Sequence, residues 1–120
     1  MREDNCMSDC IFCKIGAKQV PATIVFEDEQ AVAFRDLNPK ASTHVLIVPK
    51  RHIRDLREAQ SGDEPLLGHL LTVAAEVARL DGVSESGYRV VINAGRDAGQ
   101  SVDHLHVHLL GGRHLSWPPG

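Results

Sequence analysis

The C-terminal part of the sequence contains three histidines at every second position, within the run His104–Leu110. In an extended strand, side chains at positions i, i+2 and i+4 project from the same face. Three imidazoles would therefore share one surface, while Leu105, Val107 and Leu109 would enter a core on the other. The unperturbed pKa of imidazole is ~6.5, so this row could supply a nucleophile, proton donors or metal ligands. A strand whose polar face is merely rich in histidine is the alternative interpretation.

The loop that leads into this row is rich in groups that bind phosphate. Its glycines allow backbone N–H groups to turn toward a ligand, and its polar side chains add further donors. A plain connection between two strands is the alternative, but the neighbouring histidines favour a phosphate site. The glycines are Gly95 and Gly99, and the polar side chains are Asn93, Gln100 and Ser101.

Histidine beside a phosphate site indicates nucleophilic catalysis. A neutral imidazole attacks an activated phosphorus centre, and a phospho-histidine intermediate divides one displacement into two easier ones. The central His106 is the expected nucleophile because flanking histidines share its face and could hold its tautomer or protonate the leaving group. Since the attacking ring must be neutral, we expect activity to fall as the pH drops well below ~6.5.

A second group of candidate residues lies near the N-terminus, where Cys10 and Cys13 form a C-x-x-C pair. This spacing is half of a tetrahedral zinc site, and His52 together with one histidine of the row could complete it. A redox pair is a weaker alternative because no strand precedes the cysteines, and two unconnected thiols are the third. Cys6 makes the cysteine count odd, which does not suit a disulfide scaffold, and it receives no role.

Composition limits the possible functions. A chain of 120 residues fits one domain, predicted to span 10–120 after a flexible tail over 1–9. The net charge of −3, without a block of basic residues, argues against nucleic acid and anionic membranes as partners. The sequence has neither a signal-peptide pattern nor a transmembrane run, so a cytoplasmic location is expected.

The elements that must position these residues follow from hydrophobic periodicity. We predict a short helix near the N-terminus, one long amphipathic helix, and strands on both sides of it in the chain. This order indicates an α+β fold, a five-stranded antiparallel meander with the long helix packed on one face. The helices are Ile11–Ala17 and a segment from Pro65 to about Asp81, and the strands are Ala22–Glu27, Ala31–Asp36, His44–Pro49, Tyr88–Asn93 and the histidine row.

The whole pattern resembles the histidine triad (HIT) family, whose signature is His-φ-His-φ-His-φ-φ, where φ is apolar. His104–Leu110 matches the signature at every position, and the ending Trp117–Gly120 is similar to the histidine triad nucleotide-binding branch. Members of that branch hydrolyse nucleoside 5′-phosphoramidates, typically of adenosine or guanosine. Further matching segments lie throughout the chain, among them Ala33–Asp36, Thr43–Ile53, Gly87–Arg89, Gly99–Ser101 and Gly111–Arg113.

The resemblance implies a hydrolase that cleaves P–N bonds of purine nucleoside phosphoramidates and releases AMP or GMP. His106 would become nucleotidylated, His108 would contact the phosphate and assist the leaving group, and His44 would orient the catalytic imidazole. Ser101 would lie near the departing nitrogen, and Asp36 would accept both ribose hydroxyls. The remaining implied contacts are Asn93, Gly99 and Gln100 at the phosphate, and Ile11, Phe12, Ile15, Phe34, Leu37 and Leu46 around the base.

The resemblance also implies a metal and an assembly. Zinc-bearing relatives use ligands that match Cys10, Cys13, His52 and His104, so a structural zinc ion and no organic cofactor are expected. The family is dimeric, with the two sheets joined into one. Its C-terminal tail, here residues 112–120, reaches the partner subunit's site, a role that would fall to Trp117 unless that side chain packs locally.

Two other functions suit the same residues. One is hydrolysis or nucleotidyl transfer on dinucleoside polyphosphates, which the Trp-Pro-Pro ending disfavours. The other is a binding module for nucleotides or proteins without catalysis, which an intact triad with His44, Asn93 and Ser101 disfavours.

Overall fold

The computed structural model describes residues 9–120, which form a five-stranded antiparallel sheet with one long helix. Of the predicted N-terminal tail, 1–9, only Asp9 falls within these residues, and Cys6 lies outside them. The helices are α1 (Ile11–Gly16) and α2 (Glu64–Leu80), and the strands are β1 (Ile24–Glu27), β2 (Ala31–Arg35), β3 (Thr43–Pro49), β4 (Tyr88–Ile92) and β5 (Val107–Gly111).

The strand order in the sheet is β1-β2-β3-β5-β4, so the predicted meander holds only for the first three strands. After β3 the chain passes through α2 and returns as β4 at the far edge of the sheet. β5 then fills the space between β3 and β4 and is antiparallel to both. The histidine row therefore borders an interior strand, β3, whose seven residues are all buried.

The side chains of the sheet alternate between two cores. Ala31, Ala33, Val45 and Ile47 face α2, together with Leu105, Val107 and Leu109. Val32, Phe34, Leu46 and Val48 face the opposite side, where Phe12 and Ile15 of α1 cover them. α2 is amphipathic and long, whereas α1 has six residues and covers only part of its face. The incompletely covered face of the sheet is where the candidate site lies.

Regular strand pairing begins later in the histidine row than the alternation predicted. β5 starts at Val107, and Ile47 opposite Val107 is the last pair with β3. Before Val107 the backbone forms hydrogen bonds outside the sheet, since the N–H of Leu105 donates to the carbonyl of Ile53 at 2.6 Å. Alternation still persists, because Leu105 belongs to the core beneath α2 while His104 and His106 face away from that core.

One partly buried cluster of hydrogen bonds connects the end of α2 to the sheet. The carboxylate of Asp81 accepts two hydrogen bonds from the guanidinium of Arg35, at 2.7 and 3.1 Å, and one from the hydroxyl of Thr43 at 2.6 Å. These charge-assisted bonds join α2 to β2 and β3 beside the site. Within residues 9–120, no helix combines the length and the apolar character needed to cross a bilayer.

Candidate functional site

Four side chains from three separate parts of the chain converge into a candidate metal centre. Cys10 caps α1 and Cys13 lies one turn further on, while His52 follows β3 and His104 precedes β5. Their ligand atoms all lie within 4.8 Å of one another. Nδ1 of His104 is 3.3 Å from Sγ of Cys10, 3.6 Å from Sγ of Cys13 and 3.1 Å from Nδ1 of His52.

These distances fit the edges of a zinc tetrahedron. With bonds of about 2.3 Å to sulfur and about 2.0–2.1 Å to nitrogen, tetrahedral ligands lie about 3.5 Å apart for N···S and about 3.3 Å for N···N. Nε2 of His104 donates to the carbonyl of Pro49 at 2.8 Å, which leaves Nδ1 as the ligand atom. Burial lowers the pKa of His104 to about 4, so the ring is neutral.

The residues are those of a structural zinc site, closed by four protein ligands. Each cysteine sulfur lies against an imidazole nitrogen, which favours a metal centre over a redox pair or two unconnected thiols. Without a metal, burial and then the neighbouring Cys13 raise the pKa of the Cys10 thiol. When bound, a zinc ion would supply the positive charge that stabilises the thiolates.

The other two histidines of the row belong to a second cluster with His44. The backbone N–H of Lys40 donates to Nδ1 of His44 at 3.0 Å, so the proton of a neutral His44 ring is on Nε2. Nε2 of His44 lies 3.0 Å from Nδ1 of His108 and donates to it. The proton of His108 is therefore on its Nε2. This chain of hydrogen bonds assigns His108 the role of a donor toward any ligand.

The same hydrogen bonds distinguish this cluster from a metal site. Asp36, His44 and His108 place three potential ligand atoms within 4.8 Å of one another. However, both ring nitrogens of His44 are already engaged, one by the Lys40 N–H and the other as a donor to His108. A metal here would require deprotonation of an imidazole that is already neutral, so a hydrogen-bond relay is the better interpretation.

His106 has the opposite tautomer. Its Nδ1 lies 2.8 Å from the carbonyl oxygen of His104, and because a carbonyl only accepts, the proton of the neutral ring is on Nδ1. Its Nε2 lone pair has no hydrogen-bond partner among the residues that the structure describes. The ring is 3 % exposed and packs against the rings of Phe12 and His108, with centroids 5.2 and 4.9 Å away. An acceptor nitrogen and a donor ring thus lie side by side.

The neutral pair of His44 and His108 predicts how stability depends on pH. Burial, followed by the neighbouring His106 and His44, lowers the pKa of folded His108 to about 4, whereas an unfolded histidine titrates near ~6.5. As the pH falls, the unfolded chain takes up this proton first. The contribution of His108 to the free energy of unfolding is therefore complete above pH ~6.5 and is lost as the pH falls to about 4.

Between about pH 7 and about pH 4.5, we expect His108→Asn to lose less unfolding free energy than the wild-type protein, because asparagine does not titrate. Urea denaturation of both proteins at each pH measures this difference, in which any loss of metal common to the two cancels. Parallel curves for the two proteins would show that His108 contributes no such dependence.

An apolar cavity of about 270 Å³ opens beside His108. Asp36 and Ser101 supply polar groups at its wall, and Leu37, at 94 % exposure, stands at its rim. His106 is not itself part of the wall, but its ring contacts two residues that are, Phe12 and His108. The cavity brings together nine predicted site residues, namely Ile11, Phe12, Ile15, Phe34, Asp36, Leu37, Leu46, Ser101 and His108.

The sequence interpretation missed part of this wall and one whole cavity. The apolar cavity is also lined by five residues to which the sequence interpretation gave no contact, namely Pro21, Ala22, Arg35, Asn38 and Val102. A larger and more polar cavity, about 650 Å³, lies on the other side of Ser101, beside the metal centre. The two cavities share three lining residues, Ile11, Ser101 and Val102.

Besides His106, four predicted contact residues do not line the apolar cavity, namely Asn93, Gly99, Gln100 and Trp117. Asn93 follows β4, and Gly99 ends the turn Arg96–Ala98 with a φ of +79°, which favours glycine. The side-chain amide of Gln100 accepts from the N–H of Gly95 and donates to two carbonyls, so it shapes the loop. Trp117 is 78 % exposed, with the guanidinium of Arg89 lying 5.8 Å from its ring.

The fold and the site together define a class of protein, an α+β domain with a histidine cluster at an apolar slot and a Cys/His metal centre behind it. The sequence model of the HIT domain matches residues 17–115. The chain therefore belongs to the HIT family.

Relatives at high identity support this assignment. A 14 kDa zinc-binding protein of Zea mays is 53 % identical over 117 residues, covering 94 % of this chain and 89 % of the relative. An uncharacterized HIT-like protein of Synechococcus elongatus is 52 % identical over 112 residues, covering 93 % of this chain and 97 % of the relative.

Solved structures agree with the fold. A HIT family hydrolase from Legionella pneumophila is 49 % identical with a TM-score of 0.92, covering 93 % of this chain and 100 % of that one. A histidine triad nucleotide-binding protein from Candida albicans is 34 % identical with a TM-score of 0.79, covering 92 % and 83 %. A zinc-bound histidine triad protein from Mycobacterium smegmatis is 30 % identical with a TM-score of 0.75, covering 88 % and 76 %.

Proposed function

We propose that this protein is a purine nucleoside 5′-phosphoramidate hydrolase that cleaves P–N bonds through a nucleotidyl-histidine intermediate. The observation that carries the proposal is the pair of opposite tautomers, with a free Nε2 lone pair on His106 beside a donor Nε2–H on His108. The family includes proteins named as a hydrolase and as a nucleotide-binding protein, which is consistent with this chemistry.

In the first step, Nε2 of His106 would attack the α-phosphorus and form a new P–N bond while the bond to the leaving amine breaks. The leaving nitrogen must gain a proton, and the Nε2–H of His108, whose ring centroid is 4.9 Å from that of the attacking ring, would supply it. Water would then give a proton to Nε2 of His108 as its oxygen attacks the phosphorus, which breaks the bond to His106 and releases AMP or GMP. By donating to Nδ1 of His108, His44 would hold His108 in the donor tautomer before the first step and after the second.

The two cavities suggest where the parts of the substrate would lie. The apolar cavity is lined by Ile11, Phe12 and Phe34 and suits a purine, since aromatic and aliphatic walls bury its faces. Ser101 lies at the boundary between the two cavities, so a leaving group bound near this hydroxyl would extend into the larger, polar one. Asn93 and Gly99 are proposed to complete the phosphate site from the loop before His104.

Asp36 is proposed to bind the ribose. One of its oxygens already accepts the N–H of Asn38 at 2.8 Å, which fixes the carboxylate at the wall of the apolar cavity. We expect Asp36→Ala to raise KM for an adenosine phosphoramidate about tenfold or more, because hydrogen bonds to a charged group contribute about 1.5–3 kcal/mol each. Steady-state kinetics on the adenosine substrate measure this effect.

The matching control removes the hydroxyls instead of the carboxylate. A 2′,3′-dideoxy substrate should lose affinity for the wild-type protein, but its KM should hardly change when Asp36 is replaced. If the wild-type protein handles both substrates equally well, the carboxylate does not bind the ribose.

A homodimer is part of the proposal. Within the described chain, β4 is an edge strand with one neighbour, β5, so its outer edge is open to pairing with a second sheet. Trp117 lies outside its own chain's cavity, which is consistent with a contact to the partner subunit's site. Light scattering during size-exclusion chromatography would give the mass in solution, and a mass near that of one chain would refute the dimer.

A cytoplasmic location stays a prediction.

Incubation with adenosine 5′-phosphoramidate, followed by rapid acid quenching and mass spectrometry, tests the proposed reaction. We expect release of AMP and a nucleotidyl group on the peptide that contains His106. Faster turnover of a diadenosine polyphosphate than of the phosphoramidate would instead favour the dinucleotide hydrolase. Tight binding of AMP without any covalent intermediate would favour the non-catalytic module.

A further inference from the structure

Phe12 links the metal centre to the catalytic cluster. It lies between Cys10 and Cys13 on α1, and its buried ring meets the rings of both His104 and His106 edge-on. The centroid distances are 5.9 Å to His104 and 5.2 Å to His106. The same ring lines the apolar cavity, so one side chain contacts a metal ligand, the candidate nucleophile and the nucleotide pocket.

The backbone of His104 provides a second link. Its Nδ1 belongs to the metal centre, and its Nε2 donates to the carbonyl of Pro49. Its own carbonyl oxygen accepts the Nδ1–H of His106, which is the bond that leaves Nε2 of His106 unprotonated. Displacement of His104 would therefore disturb the tautomer and the orientation of the attacking ring.

The geometry points to Phe12 and the main-chain carbonyl of His104 as positioning residues that connect the metal centre to the attacking imidazole and to the wall of the nucleotide pocket. This inference rests on the proposed function, since it concerns the same site.

α1 depends on this connection more than α2 does. It has six residues, too few to be stable as an isolated helix, so its place is set by what it packs against. Two of its anchors are the cysteines of the metal centre, and Phe12 and Ile15 are the others. Without a metal ion bound to all four, the two cysteines and the two imidazoles are held together less strongly. The apolar wall formed by Ile11 and Phe12 would then loosen.

A connection of this kind has a thermodynamic consequence. If the metal orders the wall that a nucleotide contacts, then zinc raises the affinity for AMP, and AMP must raise the affinity for zinc by the same factor. Coupling between sites typically amounts to about 5-fold to 150-fold. Since both sites contact α1, we expect a factor of at least about fivefold.

Competition with a chromophoric zinc chelator measures the zinc affinity of the full chain in the absence and presence of saturating AMP. Calorimetry measures the AMP affinity of the zinc-loaded and chelator-treated protein. We expect zinc affinity to rise at least about fivefold with AMP, and AMP affinity to rise equally with zinc. Unchanged zinc affinity in the presence of bound AMP would overturn the inference.

Two matched variants test the route of the coupling. Phe12→Leu keeps all four metal ligands but removes the ring that contacts both His104 and His106, so the coupling factor should fall toward one. Phe34→Leu makes the same substitution in the same cavity, at a ring that contacts Phe12 at 5.4 Å. It should weaken AMP binding but retain the coupling factor. Equal coupling in Phe12→Leu and the wild-type protein would exclude Phe12 as the link.

A readout without nucleotide separates this inference from the proposed function. Nitrogen-15 NMR of the His106 ring reports which nitrogen carries the proton. We expect a protonated Nδ1 in the zinc-loaded protein and a mixture of tautomers after chelation. If AMP fails to bind but this change occurs, the proposed function fails and the positioning role stands. If phosphoramidate is hydrolysed but the ring is insensitive to zinc, the positioning role fails alone.

Discussion

His106→Ala is expected to lower kcat on adenosine 5′-phosphoramidate by at least about a thousandfold and to abolish the covalent intermediate. The variant lacks the only ring in the catalytic cluster of the described chain that offers an unprotonated and unpaired nitrogen. The acceptor nitrogen of His44 takes the N–H of Lys40, and that of His108 takes the Nε2–H of His44. Loss of the covalent nucleophile removes the two-step pathway through the nucleotidyl-histidine intermediate, so only the slow direct attack of water on the substrate is left. Single-turnover kinetics with mass spectrometry of the quenched protein measure both effects.

His69→Ala is the matched control, because His69 lies on α2, bonds Asp28 and lines neither cavity beside the catalytic cluster. Its kcat should stay within about twofold of the wild-type value. Zinc content and circular dichroism establish that each variant is folded. A nucleotidyl adduct that persists in His106→Ala would assign the attack to another residue.

Loss of the metal centre is the second large effect. Chelation of the wild-type protein, or Cys13→Ser, should lower the free energy of unfolding by about 3–4 kcal/mol, the stabilisation expected when free metal exceeds its Kd by about 100-fold to 1,000-fold. Without the metal ion, three segments that are distant in sequence are no longer connected through it. These are α1, the chain after β3 and the chain before β5. Urea denaturation and zinc stoichiometry measure the change.

Cys6→Ser provides the matched control, since Cys6 lies outside the described residues and outside the ligand set. It should retain one zinc per chain and the wild-type stability. Zinc retained at full stoichiometry in Cys13→Ser would remove this cysteine from the ligand set.

The local pattern of apolar and polar residues was sufficient to predict most of the helices and strands. Ala31–Arg35 and Thr43–Pro49 contain short continuous apolar runs, which are typical of strands buried on both faces, and both are strands in the structure. The long helix was expected from Pro65 and is observed over Glu64–Leu80, with the proline in its first turn, where no backbone N–H is needed. The order of the last two strands was wrong because the placement of β5 between β3 and β4 depends on which edge is free after α2 crosses the sheet.

The metal ligands illustrate the limits of spacing. Cys10 and Cys13 form a recognisable pair because they lie one helical turn apart, whereas His52 and His104 follow Cys13 by 39 and 91 residues. Only the resemblance to a family selected His104 from the three histidines of the row. The structure provides the physical reason, since the row leaves regular strand geometry before Val107 and His104 turns toward the cysteines.

The sequence by itself determined that three histidines alternate with core residues and that a Cys-x-x-Cys pair lies at the start of a helix, because periodicity and spacing are local properties of the chain. Tertiary structure alone decided which imidazole nitrogens carry protons. Those assignments depend on the Lys40 N–H and the His104 carbonyl, backbone groups whose positions follow from the packing of β3 against β5. The opposite tautomers of His106 and His108 therefore arise only in the folded chain.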